Sequence, residues 1–324
     1  MGAAGVDLFF VISGFLITEI LFGYKAKKRS LIANLKIFYI RRTIRIFPIY
    51  YLFLIVTFFL FRQQVSEAIS WAFCYCINIY NETHSLPLIF DHLWSLSIEE
   101  QFYLCWPLII LLTPWNWELR VINSLILIGI IYRVSVNDSR YMLSAISCLD
   151  AFGIGALLAY LKRYKENLLL KILQMNWIWA TILVLWAIKI YLSFHEMNFL
   201  LKYFRLMIAI LSFVLIGKAV YIGPLQNNNW WTMMMKNKWM IRLGRISYGI
   251  YMFHYLVFCY LKPLVDNAAL QFLDKQPIRL ISLLFFNRAN GVDFILYSIV
   301  TILLASLSFK FLETPILKSK KYFK

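Results

Sequence analysis

The sequence predicts an all-α, polytopic integral membrane helical bundle of about nine transmembrane helices, with one short re-entrant or interfacial segment. Three observations carry that prediction. Of the 324 residues, 61% are hydrophobic and 15% are charged, whereas soluble domains hold roughly 45–50% apolar and about 25% charged residues. Apolar runs of span length recur along the whole chain, separated by short polar segments. The net charge of +17 comes from bases gathered in those segments, which is the positive-inside pattern and not a nucleic-acid surface. The expected partner is the lipid bilayer, with no nucleic acid. The 5 cysteines (Cys74, Cys76, Cys105, Cys148, Cys259) lie in apolar segments without metal-ligand spacing, so they read as packing residues and no metal is expected.

The first span, residues 4–23, carries Asp7 in its first turn and Glu19 near its end. Asp7 is open to two readings: an interface charge, or a functional acid inside the membrane. Ser13 and Gly14 are small residues that permit close helix contact. Lys25 to Arg29 then form a cytoplasmic anchor. Residues 35–51 are amphipathic up to Pro48 and apolar after it, and residues 46–61 read as the second span. Phe38, Arg41, Arg42 and Arg45 fall at i, i+3, i+4 and i+7, on one stripe. Arg42 and Arg45 are spaced to hold two oxygens of one phosphate, or to anchor the segment on anionic headgroups.

Residues 69–80 are too short to cross and supply the re-entrant or interfacial segment. The loop from Asn81 to Leu93 holds Glu82, Asp91 and two histidines but no Lys or Arg, so it belongs outside. Further spans are expected at 95–113, 119–133, 141–161, 177–194, 204–222, 246–264 and 293–311. Loop charge then alternates, most of the 33 bases fall on the cytoplasmic side, and the first span begins outside. An odd number of spans that begins outside reads as a bundle lacking a preceding helix.

The chain is organised around His92 to Pro107. Glu99 and Glu100 open an apolar run that continues to Thr113. An acid at the centre of a membrane helix costs on the order of 2.5–3.5 kcal/mol, so it calls for a polar partner or a wet cavity. Glu99, Phe102, Tyr103 and Trp106 share one helix face and Glu100 points about 100° away. The competing reading puts both acids at the water interface, favouring a helix start. Later, Asp150 is expected midway along the span 141–161, and Gly153 and Gly155 follow it at packing spacing without the context of a nucleotide loop. His254 comes one turn after Tyr251, as either a packing histidine or an intramembrane functional group. Glu313 and Pro315 end the last span as a helix stop, and the Asn227–Trp231 loop has no assignment.

Taken together, these blocks resemble acyltransferase family 3, the polytopic bacterial O-acyltransferases. The blocks run in order: Gly5, Val6, Asp7, Leu8, Phe9, Phe10 through Ser13 to Thr18; Arg41, Arg42, Arg45, Pro48, Tyr50; His92, Trp94, Ser95, Leu96, Glu99, Glu100, Phe102, Tyr103, Pro107; Leu149, Asp150 through Ala159; Ser247, Tyr248, His254; and Glu313 with Pro315. They cover essentially the whole chain, and the Trp94–Tyr103 and Gly5–Phe10 blocks are the specific ones.

The resemblance implies transfer of an acyl group, usually acetyl, from cytoplasmic acyl-CoA onto a hydroxyl of a cell-surface glycan. The acceptor class would be lipopolysaccharide or O-antigen, peptidoglycan, exopolysaccharide or a lipid-linked oligosaccharide. It implies that Arg42 and Arg45 hold the donor and that Glu99 or Glu100 lies near the acceptor. Acyl-CoA (acetyl-CoA) is a donor substrate and no bound cofactor is expected. The location implied is the bacterial cytoplasmic (inner) membrane, multi-pass, with residues 1–324 as a single membrane-embedded acyltransferase domain and no appended soluble domain. The resemblance also exposes two departures. The family's opening helix, with its His, would precede Gly5, so the family core of ten helices stands here minus the first. Cys148 stands where the family usually has Arg, which predicts that Asp150 lacks a salt-bridge partner. The candidate bases are therefore His92, His254, Glu99 and Glu100, with Asp7, Asp150, Ser13, Trp94 and Tyr103 as further polar or site-lining residues. The alternative functions are a transporter or flippase of a lipid-linked or acylated intermediate, and an inactive truncated remnant.

Overall fold

A backbone in lipid must satisfy its own N–H and C=O groups, so spanning segments of this kind fold as helices. The computed structural model describes residues 2–27, 29–136, 143–174, 201–225, 236–274 and 279–318, with the single residues 187 and 233. Its α-helices are α1 (Gly2–Lys25), α2 (Leu31–Leu60), α3 (Arg62–Val65), α4 (Ile69–Phe73), α5 (Ile77–Thr83), α6 (Leu93–Leu112), α7 (Glu118–Ser135), α8 (Leu149–Tyr164), α9 (Glu166–Gln174), α10 (Leu201–Leu225), α11 (Lys238–Asp274), α12 (Arg279–Ser308) and α13 (Thr314–Lys318). Among the described residues there is no strand.

Among the described residues, five helical stretches are long and apolar enough to cross a membrane: Gly5–Lys25, Leu31–Leu60, Leu88–Leu112, Phe204–Tyr221 and Asp293–Lys318. They coincide with five of the spans expected from the sequence. The expected spans 119–133 and 246–264 lie inside α7 and α11. The span 177–194, apart from residue 187, and the Asn227–Trp231 loop lie outside the described residues. Residues 69–80 form two short helices, α4 and part of α5, and no span.

Two expectations are corrected. The amphipathic stretch and the second span are one 30-residue helix that runs through Pro48. Proline removes one backbone donor, which a long helix in a membrane tolerates when neighbouring groups take up the freed carbonyl. Asp150 does not sit midway along a span: α8 begins at Leu149 after a 3₁₀ turn (Ile146–Cys148), so Asp150 is in its first turn.

The chain divides into two compact units. The first comprises Met1–Lys36, Tyr75–His84 and Leu93–Lys236, and the second comprises Ile37–Cys74, Ser85–His92 and Asn237–Lys324. In the first unit α1 is central and packs on α8, α6 and α10. The α1–α8 crossing is made by glycine. A Cβ on Gly14 would lie 2.1 Å from the Phe152 carbonyl oxygen, and one on Gly155 would lie 2.1 Å from that of Val11. Lipid gives no hydrophobic drive for helices to associate, so close backbone packing at small residues holds them together. Around this crossing Phe10, Phe102, Phe152 and Trp106 form a buried aromatic core, with the Phe102 and Phe152 rings stacked at 4.1 Å. The buried Trp106 Nε1 donates to Thr18 Oγ1 at 2.8 Å. In the second unit α11 packs on α12 and on the 3₁₀ turn Leu88–Phe90, and a π-helical turn (Phe309–Glu313) follows α12.

Candidate active site

Glu99 lies on the face of α6 turned to α1 and is buried. Its carboxylate accepts a hydrogen bond from Ser13 Oγ at 2.5 Å and another from the Tyr103 hydroxyl. The two hydroxyls stand 3.1 Å apart. Tyr103 is one turn after Glu99, so helical geometry alone brings it alongside, while Ser13 arrives from the middle of α1. The three polar groups close on one another inside an apolar interface, which is how a membrane helix tolerates an acid. Glu100 is half-buried, as its rotation away from that face requires. Trp94 stands edge-on to Phe10 with ring centroids 6.3 Å apart.

Gln101 completes the polar part of α6. It donates to the Tyr75 carbonyl at 2.9 Å and exchanges hydrogen bonds with Asn78. Tyr75 has φ 54°, a left-handed conformation that is uncommon outside glycine, and it turns the chain between α4 and α5.

A second buried polar cluster lies in the same unit. Arg205 on α10 grips Asp7 of α1, with Nε at 3.0 Å and Nη2 at 2.8 Å from Oδ1, and Nη2 lies 3.1 Å from Cys148 Sγ. Arg133 of α7 holds Asp150 at 2.5 Å and also donates to the Ser147 carbonyl. The expectation that Cys148 leaves Asp150 unpaired is therefore wrong: Arg133 takes that place. Sequence reasoning missed both arginines. Their one signal is that each is a base near the end of a mostly apolar helix. At the far end of α1, Lys25 Nζ donates to the Ile110 carbonyl at 3.2 Å, to the Thr113 carbonyl and to Glu118 at 2.6 Å, closing the last turn of α6. Lys162 pairs with Glu19.

The other candidates belong to the second unit. His92 and His254 come together with ring centroids 5.1 Å apart. Tyr255 stacks on His92 at 5.0 Å, Phe53 meets it edge-on at 5.4 Å, and the Tyr251 hydroxyl donates to the His92 carbonyl at 2.8 Å. Tyr255 in turn donates to Asp91 at 2.8 Å. On α2, Arg42 lies over the buried Phe38 ring at 5.8 Å, and Arg45 is exposed. Glu313, which with Pro315 closes the last span, is buried in the π-helical turn and within electrostatic reach of Arg45. Among the described residues no group of three His, Cys, Asp or Glu is placed to hold a metal ion.

In this multi-pass helical membrane protein the buried Glu99 carboxylate thus accepts hydrogen bonds from two hydroxyls. The profile of the acyltransferase domain family matches residues 1–310, and the chain belongs to that family, acyltransferase family 3. It is similar to the peptidoglycan O-acetyltransferase OatA of Listeria monocytogenes, with 30% identity over 359 residues that cover 100% of this chain and 53% of that protein. It is also similar to the putative peptidoglycan O-acetyltransferase YrhL of Bacillus subtilis (28%, covering 97% and 50%). A putative O-acetyltransferase of Staphylococcus aureus, SACOL0978, matches at 29%, covering 98% and 53%. The chain spans about half the length of these relatives. No solved structure matches it.

Proposed function

We propose that the chain transfers an acyl group, acetyl as the default, from acyl-CoA on the cytoplasmic side onto a hydroxyl of a cell-surface glycan. Residues 1–324 act in this reading as one membrane-embedded acyltransferase domain in the bacterial cytoplasmic membrane. Peptidoglycan is the first acceptor to test, because it is the acceptor in the names of two similar proteins. The single observation that carries the reading is the buried Glu99 within hydrogen-bond reach of hydroxyl groups, in a chain of this family.

Acyl transfer to an alcohol needs a base at the hydroxyl and a way to hold the donor. A sugar hydroxyl gives its proton to Glu99 as its oxygen attacks the acyl carbon. Over the whole reaction the carbon–sulfur bond of the donor breaks, Glu99 hands on a proton, and coenzyme A leaves as its thiol. Arg42 and Arg45, one turn apart on α2, are suited to the coenzyme phosphates. The His92–His254 pair is the other candidate for proton transfer.

Glycan acetylation is the test. Cells lacking the gene are complemented with this chain, with Arg42→Ala, and with a form extended upstream, and glycan-bound acetyl is measured. Restoration by the chain or its extended form, and loss with Arg42→Ala, supports the reading. Unchanged acetylation in every case, with no consumption of acyl-CoA, moves the transporter or flippase reading ahead.

A further inference from the structure

Several helix hydroxyls among the described residues turn back on their own backbone. Thr57 donates to Phe53, Ser212 to Ile208, Thr301 to Tyr297 and Ser306 to Ile302, each to a carbonyl one turn earlier. That is the ordinary way to satisfy a hydroxyl in an apolar helix. Ser13 departs from it. Its Oγ donates across to the Glu99 carboxylate of another helix at 2.5 Å, with the Tyr103 hydroxyl 3.1 Å away. A nucleophile whose hydroxyl faces a carboxylate, with a third group orienting that carboxylate, is the arrangement that activates serine.

Depth adds a second argument. Ser13 stands in the middle of the 24-residue α1, about 18 Å of helix from Lys25 at about 1.5 Å per residue. A phosphate-bearing donor cannot enter the apolar interior, but an acyl group is small and neutral. A nucleophile at mid-depth can accept the acyl group from one side of the membrane and release it to the other. Ser13 is also buried, so an ester formed there is shielded from water.

We infer that Ser13 carries the acyl group as a covalent ester between donor and acceptor, with Glu99 as the proton shuttle. The inference rests on the acyltransferase reading above. In the first half-reaction, Ser13 Oγ bonds to the acyl carbon as the carbon–sulfur bond of the thioester breaks. Glu99 takes the serine proton and passes it to the departing thiolate. In the second, the glycan hydroxyl oxygen bonds to the same carbon and gives its proton to Glu99. Glu99 returns that proton to Ser13 Oγ as the ester bond breaks. Tyr103 holds the carboxylate against Ser13 throughout.

The test uses the chain in lipid nanodiscs with radiolabelled acetyl-CoA and a soluble peptidoglycan fragment. In acid-quenched samples without acceptor, label is expected on the peptide containing Ser13 and is released by alkaline hydroxylamine. Adding acceptor should chase it onto glycan. Ser13→Ala should lose the label and slow transfer at least about a hundredfold. Ser13→Cys should hold the label as a thioester released at neutral pH, which a merely structural serine would not produce. Glycan acetylation by wild type without label on Ser13, or transfer by Ser13→Ala at the wild-type rate, overturns the inference and leaves the acyltransferase reading standing. Neither label nor transfer by wild type under any condition overturns both.

Discussion

Arg133 Nη2 lies 2.5 Å from Asp150 Oδ1, with both side chains buried, so α7 carries the countercharge for the first turn of α8. Gly129, one turn before Arg133, permits this approach: a Cβ there would sit 2.5 Å from the Asp150 backbone nitrogen. Removing one partner of a buried pair strands the other charge and costs about 3–5 kcal/mol. Arg133→Ala should therefore unfold at a markedly lower temperature in detergent. Combining it with Asp150→Leu should recover much of the loss. An unchanged melting temperature for Arg133→Ala alone would contradict the pairing.

That pair also marks the limit of the sequence as a guide. The period of α6 was enough to place Glu99, Phe102, Tyr103 and Trp106 on one buried face, because a helix relates residues three and four apart. The α1 span, the short segment after residue 69 and the paired glycines of α8 were legible for the same local reason. Partners on other helices were not. Asp150 was judged by its chain neighbour Cys148, while its countercharge lies 17 residues upstream. Ser13 reads as a small packing or site-lining residue, and nothing local shows that it meets Glu99. Likewise His92 and His254 were separate candidates until the fold put their rings together. Nor does the sequence show that the amphipathic stretch and the second span form one helix through Pro48.

Gly14 and Gly155 set the distance between α1 and α8. Gly14→Ala introduces a methyl group where the Phe152 carbonyl oxygen stands. Overpacking of this kind costs about 1–3 kcal/mol. The expected outcome is a lower yield of folded, monodisperse protein and a lower unfolding temperature. Ala substitution at Gly5, which has open space around it, should leave both unchanged.

Tyr103 donates to Glu99 and stands beside Ser13. Tyr103→Phe keeps the ring in the core and deletes only the hydroxyl. A hydrogen bond to a charged group is worth about 1.5–3 kcal/mol. Glycan acetylation by this variant should fall by roughly tenfold to a hundredfold, with the fold retained. Wild-type acetylation would show that Glu99 does not depend on Tyr103.

Arg42 and Arg45 are predicted to act on the donor alone. Arg42→Ala should raise KM for acyl-CoA about tenfold or more, with a smaller change in kcat. Arg42→Lys keeps the charge but loses the fork, and should recover only part of the affinity. A fall in kcat with KM unchanged would place these arginines outside donor binding.

The most direct measurement is glycan-bound acetyl in cells lacking the gene, complemented with the active wild-type form or with Glu99→Gln at equal membrane abundance. Glutamine keeps the size and the hydrogen bonding of the side chain but removes its basicity. Loss of the general base should cut acetylation by about a hundredfold or more relative to wild type. Wild-type acetylation by Glu99→Gln would contradict the account, because the buried carboxylate would then be a structural bridge between α1 and α6 and not the group that moves the proton.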